Sequence, residues 1–131
     1  MEEDAPTEQG KTPNLMTGPT DVPNLISIDE FMKVELRVAK VLTVEPIPKS
    51  KKLLKLVVDT GDGQRTIVAG IARAYQPEDV VGRSVVIVFN LKPAKLMGVE
   101  SQGMVLAASS EGEQPTLISV VGDVPLGSRV R

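Results

Sequence analysis

The sequence predicts an all-β fold, a small barrel of five strands with one short helix between the third and the fourth. Three observations carry that expectation. Apolar residues alternate at period two in several short runs between residues 34 and 109, glycines and prolines punctuate those runs, and no strand-helix series or internal repeat is present. A chain of 131 residues supports one modest core and a tail, not two cores.

Residues 1–25 are rich in Pro, Thr, Glu, Gly and Asn with scattered apolar residues, too few to offset the entropy of ordering them. They read as a flexible linker, and residues 26–131 as the folded domain. Ser27 stands three residues before Glu30, the spacing of a capping box, and Ile28, Phe31 and Met32 give a helical stripe of one or two turns. From Val34 the period becomes two: Leu36, Val38, Leu42 and Val44 are expected on the core face, and Glu35, Arg37, Ala39 and Thr43 on the other. The alternation falters at Ala39 and Lys40, where a bulge is expected. The loop EPIPKSKK leads to a second strand, LLKLVVD, and the turn DTGDGQ to a third, RTIVAG. IARAYQPEDVVG supplies the helical connection. The fourth strand, SVVIVFN, is nearly all apolar and is expected to be buried on both faces. A long loop, LKPAKLMGVESQ, precedes the fifth strand, GMVLAAS, and a short C-terminal extension adds one more strand at 116–120. This element order matches an OB-fold Greek-key barrel.

Composition removes most chemistry. The chain has no cysteine and no histidine, so disulfides, thiolate or imidazole metal sites and histidine acid/base catalysis are absent. No catalytic constellation, metal site or cofactor is expected, and the chain does not read as an enzyme on its own. No apolar run approaches the roughly 20 residues that span a bilayer, and the acidic start lacks the pattern of a signal peptide, which predicts a cytoplasmic protein without a membrane partner. Residues 1–25 hold one lysine against five carboxylates, a net of −4, leaving +2 for the remainder. Between residues 33 and 55 seven cations face two carboxylates, a candidate footprint for a polyanion, although on charge alone a solvated face is the favoured reading.

DTGDG has neither the helix nor the lysine of a phosphate loop and reads as a hairpin turn, while Glu78 and Asp79 are adjacent and suit a helix start. The informative stretch is NLKPAKLMGVESQGM. It sets Asn90, Lys92, Lys95, Ser101, Gln102 and Met104 around one loop: cations for phosphates, amide and hydroxyl donors for phosphate, ribose or base edges, and a polarizable thioether. A solvated loop with Met104 plugging the barrel end fits the same residues. Phe31, Tyr75 and Phe89 are the only rings, too few for the stacking platforms of a single-strand binder.

Four segments together resemble the tRNA-binding domain shared by methionyl-tRNA synthetase C-termini, free-standing dimeric tRNA-binding proteins and the start of the bacterial phenylalanyl-tRNA synthetase β subunit. They are LRVAKV at 36–41, SKKLLKLVVDTG at 50–61, RTIVAGIA at 65–72 and VVIVFNLKPAKLMGVESQGMVLAAS at 85–109. The resemblance implies an OB-fold that binds the outer corner of folded tRNA by shape, as a homodimer, working with a synthetase catalytic domain in cis or in trans; the ATP-dependent ligase chemistry belongs to that partner. It implies RNA-binding roles for Arg37, Lys52, Arg65, Asn90, Lys92, Lys95, Ser101 and Met104. On the residues alone, Arg37 and Arg65 also suit ion pairs with Glu35 or Asp59, and Asn90 a cap on its own turn. The chain has Ala39 where that family usually has glycine, Glu45 before Pro46 where histidine is frequent, and Met97 before Gly98 where arginine is common. A chaperone family shares the fold and part of the motif, so a protein-binding dimer is the alternative.

Overall fold

The long alternating run at the start of the domain forms the strand around which the rest is built. A computed structural model describes residues 24–131; the expected linker over residues 1–25 lies outside the described residues except for its last two. Within residues 24–31, Glu30 N–H donates to Ser27 Oγ at 3.0 Å and Ser27 N–H to Glu30 Oε1 at 2.9 Å, the capping box its spacing predicted. The helix it caps, α1 (Ile28–Phe31), is one turn.

From Met32 onward the chain is mostly strand. β1 (Leu36–Pro46), β2 (Leu54–Asp59), β3 (Gln64–Ala69), β4 (Ser84–Val88) and a two-residue β7 (Met104–Val105) pair antiparallel in the order β3-β2-β1-β4-β7. β1 has partners along both edges: β4 beside residues 36–40, β2 beside residues 40–46, and the C-terminal β10 (Arg129–Val130) beside Leu36 and Arg37, where β2 has ended. The result is the nearly closed antiparallel barrel expected, with α2 (Pro77–Val80) as the short helix between β3 and β4. Pro77 starts this helix because its missing N–H has no partner to lose there, and Val80, fully buried, anchors it.

The interior is aliphatic: Leu56, Val58, Ile67, Val85 and Ile87 are among its fully buried members. On β1 the inward set before the bulge is Ala39 and Val41, which corrects the expected phase there, with Val38 buried on the reverse face beside Val86; after it Val44 packs against the core as expected. The pairing register shifts between Val41 and Thr43, later than Ala39 and Lys40 suggested. Ala39 faces inward because a small side chain suits the crowded strand crossing, and the bulge at Leu42 then changes the face on which later residues fall. β4 is buried throughout 85–88, with Val85 and Ile87 in the core and Val86 and Val88 on the reverse face.

Two further corrections concern the second half. The expected fifth strand breaks at Leu106: β7 stays on β4, while β8 (Ala107–Ala108) pairs with β9 (Thr116–Leu117). The expected long loop before it is a hairpin, β5 (Ala94–Leu96) against β6 (Val99–Ser101), joined by Met97 and Gly98 with φ of 52° and 82°. Two successive positive φ values are what a two-residue hairpin turn with strand-like twist requires, and Gly98 adopts its value without steric cost. Among the described residues, no helix is long and apolar enough to cross a membrane.

Candidate nucleic-acid interface

Period-two geometry takes Arg37 and Arg65 to one mouth of the barrel. Arg37 shares a strand face with Ala39 and Val41, and Arg65 with Ile67 and Ala69, so each arginine terminates an inward-facing row. Phe89, which ends the inward row of Val85 and Ile87, meets both. The Arg65 guanidinium carbon lies 3.7 Å from the Phe89 ring centroid and that of Arg37 4.3 Å, distances at which the ring's negative face attracts a cation. Two cations on one ring repel each other, and carboxylates offset that. Arg37 Nε donates to Glu35 Oε2 at 2.6 Å within an ion pair. Asp62 lies in the field of both arginines; its carboxyl is held below the ordinary aspartate range, first by the Thr60 hydroxyl at 2.8 Å and then, against some desolvation, by its own N–H and the two guanidiniums.

Arg65 does not pair with Asp59. Its Nη1 donates to the carbonyl of Phe89 at 2.7 Å and, more weakly, to that of Gln102 at 3.3 Å, the two residues that bracket the projecting hairpin. The adjacent chain closes the barrel without a ladder: Gln102 N–H donates to Thr66 O at 2.8 Å, Thr66 N–H to Gln102 Oε1 at 3.0 Å, and Val68 N–H to Ser101 Oγ at 2.9 Å. Ser101 is 4% exposed and its hydroxyl donates to Gly103 O at 3.0 Å, so it is spent inside the protein. Gly103 follows with φ 139°, and a Cβ there would stand 2.7 Å from Val88 O, which explains a glycine at this crossing. Nor does Asn90 cap its own turn. Its Oδ1 accepts from Glu35 N–H at 2.8 Å and its Nδ2 donates to Lys33 O at 2.7 Å, pinning the approach to β1 against the end of β4.

The remaining candidates are presented outward. Lys92, Lys95 and Lys52 are exposed, and among the described residues none of their ammonium groups has a hydrogen bond or ion-pair partner. Lys95 is opposite Glu100 across the hairpin. Met104, paired with Val88, is 46% exposed, so it does not plug the barrel. Leu96 and Met97 leave the hairpin tip apolar and open. Seven of the eight candidates thus lie on the mouth, the hairpin or their ties. Lys52 does not: it precedes the Leu54–Ala69 end of the β2–β3 ladder, roughly 17 Å along the strands from the Gln64 end.

A groove of about 550 Å³ opens beside the mouth, walled by Gln64 and Arg65 from β3, by residues 89–93 and by Gln102. Sequence reasoning placed Phe89 in the core and did not single out Gln64. The signal for Phe89 was present: it continues the inward face of β4 one step past the strand's end, level with the two arginines. Among the described residues no group of three carboxylate, histidine or cysteine ligands could hold a metal ion.

Comparison with known proteins identifies the family. Residues 36–129 match the family model described as "Putative tRNA binding domain". The chain is 56% identical over 107 residues to a methionine–tRNA ligase of Thermotoga maritima, an alignment that covers 82% of this chain and 17% of that protein. The chain therefore spans about a sixth of the length of that relative. Among solved structures, a MetRS-related protein from Pyrococcus horikoshii superposes with a TM-score of 0.79 at 46% identity, covering 82% of this chain and 99% of that one. The chaperone CsaA from Bacillus anthracis superposes at 0.75 with 27% identity, covering 82% and 99%. With the family match running from the start of β1 to the first residue of β10, this chain belongs to the tRNA-binding domain family.

Proposed function

We propose that the chain is a non-catalytic binder of folded tRNA that helps a methionyl-tRNA synthetase, joined in cis or met in trans, to capture its substrate in the cytoplasm. The observation that carries this reading is the division of labour at the mouth: Arg65, Asn90 and Ser101 are committed to internal ties, while Lys92, Lys95 and Met104 stand outward on the segment those ties hold. Ordering the loop beforehand removes an entropic cost from binding. Lys92 and Lys95 meet phosphates, Arg37, mostly buried and paired with Glu35, adds a cation at the mouth, Lys52 meets a more distant part of a large ligand, and Met104 packs on the RNA surface. A module that binds weakly by itself still raises capture when tethered, because the second contact becomes intramolecular.

Salt dependence tests the assignment. Lys92→Ala should weaken binding to all tRNAs alike and lower the slope of log affinity against log salt by roughly 0.7–0.9. Met104→Ala should leave the slope unchanged and reduce the preference for folded tRNA over an unstructured RNA of equal length. If both variants bind tRNA like the parent, the loop is not the site. The second reading, a protein-binding dimer, is favoured by the likeness to the chaperone CsaA; capture of an unfolded client that persists at high salt, with tRNA binding absent, would move it ahead.

A further inference from the structure

We propose that the loop between β1 and β2, together with the turn after β3, is a second phosphate-binding footprint at the end of the barrel away from the mouth, where Lys49, Lys51 and Arg73 join Lys52 on the backbone of the same folded RNA. The proposal rests on the tRNA-binding reading and goes beyond it by giving the protein two separated grips, only one of them at the mouth.

Charge points to this end first. Residues 46–56 and 70–76 carry Lys49, Lys51, Lys52, Lys55 and Arg73 without a carboxylate. Lys55 stands opposite Glu45 across the β1–β2 ladder, which leaves four cations uncompensated. Among the candidate cations of the mouth and hairpin, Arg37 is paired with Glu35, Arg65 has Asp62 in its field and Lys95 is opposite Glu100, so Lys92 alone is uncompensated. The stronger attraction for a polyanion is therefore at the far end. Lys49, Lys51, Lys52 and Arg73 are all exposed, and among the described residues none of their charged groups has a hydrogen-bond or ion-pair partner.

These cations stand on an ordered support. Ile47 is buried, and its carbonyl accepts from Ser50 N–H at 3.1 Å; Ser50 Oγ accepts in turn from the N–H groups of Lys52 at 3.3 Å and Leu53 at 3.1 Å. Ala72 N–H donates to Lys52 O at 2.9 Å, which ties the turn carrying Arg73 to the loop, and the carbonyl of buried Ile71 closes that turn by accepting from Ala74 and Tyr75 N–H at 3.0 Å. Lys49 holds φ 71°, in the left-handed region where glycine is at ease and a lysine is strained. Strain of this kind gathers at ligand-binding positions, and an exposed lysine offers no packing gain to offset it.

The separation of the two grips sets the class of ligand. They lie at opposite ends of the β2–β3 ladder, roughly 17 Å apart along the strands, which is farther than a mononucleotide spans and well within one folded RNA. Between them a notch of about 370 Å³, lined by Lys55, Thr66 and the hairpin's Gly98, Val99 and Glu100, leaves the outer face of the ladder open to a backbone running from one grip to the other.

The test uses the whole 131-residue chain. Lys51→Ala with Arg73→Ala should melt as the parent does and bind all tRNAs more weakly, lowering the slope of log affinity against log salt by roughly 1.4–1.8, the amount for two phosphate contacts. Lys51→Arg with Arg73→Lys should keep the parent's slope. Lys49→Gly, which suits the backbone there, should melt no lower than the parent and still lower the slope by roughly 0.7–0.9, so that binding and stability part company. Location is read directly by lysine acetylation: tRNA bound at no more than one molecule per chain should slow the modification of Lys49, Lys51 and Lys52 as well as that of Lys92. If the Lys51 and Arg73 double alanine variant keeps the parent's slope, or the three lysines are acetylated at the same rate with and without tRNA, the second footprint is overturned while tRNA binding at the mouth stands. Protection reached only with a second tRNA on each chain overturns the shared ligand. If the parent binds no tRNA, the function itself is wrong and the footprint falls with it.

Discussion

Asp62 is exposed, yet it answers to four neighbours: the Thr60 hydroxyl, its own N–H, and the guanidiniums of Arg37 and Arg65. Because its carboxyl is held below the ordinary range in the folded state, the group contributes stability at neutral pH and loses it as the pH falls through that lowered value. Thr60→Val removes the largest of these influences. Carboxyl NMR should then find Asp62 titrating closer to an ordinary aspartate, and the acid-side loss of stability should shrink accordingly; an unmoved titration would mean that the Thr60 hydroxyl does not hold it down. This carboxylate was not legible in DTGDG, whose turn chemistry was: a period-two pattern assigns faces, but it does not place a turn at the end of β2 beside arginines on two other strands. The same limit applies to Arg65. Its strand and face follow from the alternation of RTIVAG, whereas its commitment to the carbonyls of Phe89 and Gln102 depends on the path of a segment far along the chain.

The β5–β6 hairpin is the element that the sequence concealed. LKPAKLMGVESQ offers no run of β-branched residues and no Asn-Gly or Asp-Gly pair, the usual signs of a tight hairpin, and Met97 at φ 52° occupies a conformation that favours glycine or asparagine. A methionine there is strained by about 1 kcal/mol. Met97→Asn should relieve part of that strain and slow hydrogen exchange of the amides in the β5–β6 ladder; faster exchange would show that the methionine side chain, and not the backbone, sets the turn. The first strand was read more fully. Its length and the presence of a bulge were visible in VELRVAKVLTVE, but the bulge's place and the phase were not, because Ala39 reads as a surface residue until the barrel interior crowds around it. The two-residue β10 carries no periodicity at all, and only its pairing with Leu36 and Arg37 reveals it.

At the scale of the molecule, the five-strand order with a helix after β3 was legible, and the manner of closure was not. Alternation can announce strands, but Ser101 and Gln102 close the gap between β3 and the end of the hairpin through side-chain bonds that no pattern encodes. The apolar C-terminal extension is used only in part: Leu117 enters the core, while Ile118, Val121 and Val124 remain exposed, Val121 completely. A second copy would cover them, so we expect a dimer in sedimentation at tens of micromolar, and Ile118→Asp with Val121→Asp should yield the monomer without unfolding the barrel. A monomeric parent would count against that assembly. The pairing of Leu36 with Val130 also has a temporal meaning. A ribosome that adds about 5–20 residues per second takes on the order of 5–20 s to travel from one to the other. Throughout that interval the nascent chain holds the first strand with part of one edge open, and a chaperone waiting at the exit tunnel would find this domain complete only when its final residues emerge.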